Sequence, residues 1–142
     1  MGANNPNLPT NVKSDEEAIQ YLASVVAGMR SGLYTALTGS PTLTAAQMVG
    51  GVVEISGGTT ATVTLDTAVN IIARMQVLDA NAAIGSTATF RLLNDNSGVL
   101  TVALGAGMTN AGVAGALSIP AASSYGYTLT WTGATTVSLT RN

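Results

Sequence analysis

Residues 125–141 read YGYTLTWTGATTVSLTR, and their alternation decides the fold class. Tyr125, Tyr127, Leu129 and Trp131 share one parity, opposite Gly126, Thr128 and Thr130. Beyond Thr132-Gly133-Ala134, Val137 and Leu139 oppose Thr136, Ser138 and Thr140. A period of two with apolar residues on one side describes strands that bury one face and wet the other. Thr on the wet side suits a pleated backbone, and the Gly between the runs suits a reversal.

The pattern continues towards the N-terminus. Ala61, Val63 and Leu65 alternate with Thr60, Thr62 and Thr64; Ala88, Phe90 and Leu92 alternate with Thr87, Thr89 and Arg91. Leu100, Val102 and Leu104 form a third set. In 69–78, Val69, Ile71, Ala73, Met75 and Val77 oppose Asn70, Arg74 and Gln76, so this run also reads as a strand. With 48–56 and 113–119 the tally is about eight short strands. Gly57-Gly58, Asn94 to Gly98 and Gly105-Ala106-Gly107 supply turns between them. The expectation is a mainly β chain whose residues 41–142 form an antiparallel sandwich or jelly-roll-like domain, with the strand order open.

Residues 1–13 are rich in Asn and Pro and lack periodicity, which predicts an extended arm. Residues 14–40 read as a helix and linker. Ser14 and Glu17 have the spacing of a reciprocal capping box, and the acids at 15–17 suit the positive end of the helix dipole. Ile19, Leu22, Val26, Met29 and Leu33 then recur as a seam with steps of three and four. Two occupants fit such a seam: the chain's own β domain, or the same helix in sister subunits.

Of the 142 residues, only 8% are charged and the net charge is −2. Five basic residues without a cluster do not supply the phosphate neutralisation that nucleic-acid binding needs. No apolar run is long enough for a membrane span, and no secretory signal stands at the N-terminus. His and Cys are absent, and Lys13 is the only lysine. The usual general base, zinc ligands and thiol nucleophile are therefore missing, and no catalytic residue, metal or cofactor is expected. Glu54 and Asp66 are the acids that strand ends could bring together; a solvated strand edge is the favoured role. Asn94-Asp95-Asn96 opens like a calcium loop but lacks the later carboxylates, so it reads as an Asx-rich turn. Tyr125, Tyr127 and Trp131 share parity with Leu129, which favours core or inter-subunit packing over exposed glycan platforms.

Residues 60–142 resemble a β module of tailed-phage virion proteins. The resemblance rests on Thr64-Leu65-Asp66-Thr67-Ala68, the stretch Gly85 to Phe90, Leu100-Thr101-Val102 with Gly105, and the closing hairpin from Thr132-Gly133 to Arg141. It implies a capsid decoration (cement) protein, a head fibre or part of a tail fibre, commonly trimeric, and it carries no catalytic residues. The expectation built on it is a homotrimer on the virion surface that binds the major capsid protein, with no nucleic acid or membrane partner. Asn4, Asn5, Pro6, Leu8 and Pro9 would contact the capsid, and the 19–33 seam would join the trimer. The alternative is a fibre module that recognises a host glycan through Tyr125, Tyr127 or Trp131.

Overall fold

The computed structural model describes Ile19, residues 34–113 and residues 115–142. The chain divides between Ser31 and Gly32 into two units, and the architecture below belongs to the second. In order it comprises β1 (Tyr34–Thr38), α1 (Ala45–Met48), β2 (Val52–Ser56), β3 (Ala61–Thr64), α2 (Ala68–Leu78), β4 (Thr87–Asn94), β5 (Leu100–Ala103), β6 (Met108–Asn110), β7 (Ser118–Ile119), β8 (Ser123–Gly133) and β9 (Thr136–Arg141). The fold is mainly β, as the alternation predicts.

The strands form a six-stranded sheet, β1-β2-β4-β8-β9-β6, and a three-stranded sheet, β3-β5-β7. Their inner faces share one apolar core. Val53, Ile55, Phe90, Leu92, Leu129, Val137 and Leu139 enter it from the large sheet, and Val63, Leu100, Val102 and Ile119 from the small one. Phe90 and Tyr127 are cross-strand partners whose rings stack with centroids 5.3 Å apart. Such a pair adds about 1 kcal/mol beyond its area burial. The opposite face of the large sheet carries hydroxyls: Thr89, Thr128 and Thr140 lie side by side on β4, β8 and β9.

Strand direction departs from the antiparallel expectation. β4–β8, β8–β9 and β5–β7 are antiparallel, whereas β1–β2, β2–β4, β3–β5 and β6–β9 are parallel. Alternation reports that one face of a strand is wet, and it does not encode the neighbour's direction. Parallel neighbours need crossovers, and the chain supplies them by passing between the sheets and through α1 and α2.

The 69–78 run is the second correction: it is the core of α2. Ala68, Ile71, Ile72 and Met75 are buried, spaced three and four apart, while Val69 and Val77 face outwards. Thr67 caps the helix by accepting the Asn70 amide at 3.3 Å. A strand reading put Val69, Ile71, Ala73, Met75 and Val77 on one face because apolar and polar residues alternate there. The buried stripe, which includes Ile72, and the cap follow the helical period instead.

The third correction concerns 14–40. Tyr34–Thr38, read as linker, is one of the two edge strands of the large sheet, with Leu37 packed against the core. β6 and α1 have no counterpart in the expected elements; at α1, Thr44 and Gln47 form a full capping box, the Thr44 amide donating to Gln47 Oε1 at 2.9 Å.

Candidate functional site

Three polar constellations stand out, and they differ in how their atoms are used. The first is Asp66, between the ends of β3 and α2. Its Oδ2 accepts the Ala45 amide at 2.7 Å, at the start of α1. Its Oδ1 accepts the Thr67 amide at 2.7 Å and the Asn70 side-chain amide at 2.8 Å. One carboxylate thus serves the first turns of two helices, where amides lack intrahelical partners. Gly105 crosses directly above: a Cβ there would collide with the Asp66 carbonyl, so only glycine fits.

The second is the turn after β4. Asn94 and Asn96 are buried, and their amides form a closed network. Asn94 Nδ2 donates to the carbonyls of Gly98, Ile119 and Pro120 at 2.8, 2.9 and 3.0 Å. Asn94 Oδ1 accepts from the Asn96 amide and side chain, and Asn96 Oδ1 accepts from the Gly58 amide at 2.8 Å. The stretch is the Asx-rich turn expected from sequence, and it ties β4, the β2–β3 turn and the end of β7 together.

The third lies on the outer face of the large sheet. Ala36, Glu54, Leu93 and Ser124 stand side by side on β1, β2, β4 and β8. Glu54, Leu93, Asn94, Asp95, Ala122, Ser123 and Ser124 line a cleft of about 310 Å³. Tyr34, 59% exposed, donates its hydroxyl to Glu54 Oε2 at 2.6 Å. That hydrogen bond raises the Tyr34 pKa above its ordinary value; partial desolvation and the nearby charges of Glu54 and Asp95 add to it. Arg91 donates to Ser124 Oγ at 2.8 Å and forms the boundary with a second cleft, which Gly50, Gly126 and Asn142 help to line. Asp95 is exposed and its carboxylate makes no hydrogen bond among the described residues.

Glu54 and Asp66 therefore serve different places: Asp66 caps helices, and Glu54 faces the cleft with Asp95. Among the described residues no group of three acids could hold a metal ion, and no helix is long and apolar enough to cross a membrane. The aromatic trio lies largely inside. Tyr127 and Trp131 are buried, and Tyr125 is half-buried with Arg141 4.5 Å above its ring. Tyr127 donates its hydroxyl to the Ala116 carbonyl at 2.6 Å, and desolvation pushes its pKa up to about 12. Trp131 donates Nε1–H to the Gly133 carbonyl at 2.7 Å. Within this chain Tyr127 and Trp131 pack in the core, and neither presents an open ring face.

Of the expected seam, Ile19 is helical and 66% exposed. Leu22, Val26, Met29 and Leu33, and the arm positions Asn4, Asn5, Pro6, Leu8 and Pro9, lie outside the described residues. Sequence reasoning missed Tyr34, whose signal was the short Thr-rich run to Thr38, and saw Glu54 and Asp95 without joining them. A scan against protein-family models, a search of curated proteins and a search of solved structures each return no match for the chain.

Proposed function

We propose that the chain is a structural virion protein: a homotrimer that binds the major capsid protein of an assembled phage capsid and stabilises it. The observation that carries this reading is the division between Ser31 and Gly32. The arm and the 19–33 seam fall almost wholly on one side of it, and a β domain with its own core falls on the other. This organisation suits attachment through one unit and display of the other. Three copies at a threefold axis would make three weak contacts act together, and binding the assembled lattice but not its dissociated subunits would stabilise it by mass action. The commitment of Asp66, Asn94, Asn96, Tyr127 and Trp131 to the scaffold fits a protein selected for rigidity.

The test compares the full chain with a variant lacking residues 1–13 on expanded empty capsids. The full chain should be a trimer by light scattering, occupy the lattice and raise its melting temperature, and the variant should lose occupancy. A monomer that leaves capsids unaltered would overturn the proposal.

A further inference from the structure

We propose that β1 pairs with β1 of a second copy of this chain, antiparallel about Ala36, so that two large sheets run on as one across a twofold axis. Among the described residues β1 is an edge strand joined to β2 alone. The direction of its free backbone groups follows from the ladder. The Gly39 amide donates to the Ser56 carbonyl at 3.1 Å, so Gly39 turns its backbone groups to β2. That direction alternates along a strand as the side chains do. Thr35 and Leu37 therefore also turn to β2, and Tyr34, Ala36 and Thr38 aim their N–H and C=O groups off the sheet. In an antiparallel pairing about Ala36, Ala36 meets the copy's Ala36 and Tyr34 meets the copy's Thr38. Every such pair is of the hydrogen-bonded kind, which adds about six backbone hydrogen bonds across the axis.

The fold guards one edge and leaves this one open. Residues 40–43 cover the outer side of β3: the Thr64 amide donates to the Pro41 carbonyl at 2.9 Å, the Leu43 amide to the Thr64 carbonyl at 2.8 Å, and the Thr62 amide to Ser40 Oγ at 3.0 Å. β1 reads YTALT, with no charge, no proline and an unbroken register on β2, so it lacks the devices that keep edges apart. Length and charge select the occupant. The other edge strands of a copy are shorter, with three residues in β6 and two in β7 against five in β1. Residues 1–13 match poorly, because Pro6 and Pro9 stand at opposite parity and one of them interrupts the donor row in either register. A neutral strand brings no like charges together when it meets itself, and Tyr beside Thr is an aromatic and β-branched pair that sheets favour. Leu37, half-buried against the core, would be covered from the open side by the copy's Thr35. The contact neither uses nor needs the 19–33 seam.

The experiment follows amide exchange by NMR on the full chain at about 20 μM and about 2 mM, with sedimentation over the same range; an interface this small should hold with Kd on the order of 100 μM. The Ala36 and Thr38 amides should then exchange about fivefold more slowly at the higher concentration. The Leu37 amide, already turned to β2, should be slow at both. Ala36→Lys sets like charges at the axis, each beside its own Glu54, and Ala36→Pro removes an outward donor; an edge strand tolerates both. Each should weaken self-association by about tenfold or more, with Tm within a few degrees of wild type. Thr109→Lys, on β6, should leave self-association unchanged. Exchange at Ala36 and Thr38 that ignores concentration, association that persists in both Ala36 variants, or equal weakening by Thr109→Lys refutes the pairing.

Discussion

Asp66 and the Glu54–Asp95 pair are carboxylates in one small domain, yet the fold treats them oppositely. At Asp66 the carboxylate oxygens are taken by amides from α1 and α2. At the cleft, Glu54 accepts from Tyr34 alone among the described residues, and Asp95 accepts from nothing there. Polar atoms with every valence filled by the chain hold structure; polar atoms left in a concave surface are available to something else.

That contrast can be broken by substitution. The largest effect should come from Asn94→Ala, which strips the carbonyls of Gly98, Ile119 and Pro120 of a donor inside the core. We expect a loss of about 3 kcal/mol or more in urea unfolding, because unsatisfied buried carbonyls bear their full desolvation cost. Asp66→Ala should follow at about 2 kcal/mol, because the Ala45 and Thr67 amides lose their acceptor even though the Thr44 and Thr67 side-chain caps remain. Equal stability of Asp66→Ala and wild type would remove the distinction. Tyr127→Phe should cost about 1–2 kcal/mol by orphaning the Ala116 carbonyl. Asp95→Asn should sit within about 0.5 kcal/mol of wild type, since its side chain holds nothing in the fold.

Alkaline pH probes the committed side separately. The folded pKa of Tyr127 is raised to about 12, above the ordinary tyrosine value of about 10, so the unfolded chain releases this proton first. Its contribution to stability is complete below pH 10 and fades as pH rises towards 12. Thermal unfolding should therefore be level across neutrality and fall above about pH 10, and Tyr127→Phe should flatten that fall.

Much of the β domain was legible in the sequence. The parities of 61–65, 87–93, 100–104 and 125–139 place buried residues where the structure has them, because a wet face and a dry face impose a period of two on any half-buried strand. Direction was not legible, since parallel and antiparallel neighbours leave the same alternation. The 68–78 helix was hidden by a chance alternation of apolar and polar residues over 69–77, although Thr67 with Asn70 three residues on was a readable start. The cleft was invisible for a different reason: Tyr34, Glu54, Asp95 and Ser124 belong to four separate segments, and only sheet order makes neighbours of them.

That sheet order also governs how the domain comes into being. β4 and β8 occupy the middle of the large sheet, and β8 with β9 is made after every other element described here. β1 and β2, made early, have only each other and an unfilled edge until Thr87–Asn94 arrives, and β4 lacks one neighbour until Ser123–Gly133 does. Synthesis cannot bank the fold piecewise. Closure of such distant pairings is slow and waits for the last strands, so the nascent β domain carries open strand edges until β8 and β9 have been made.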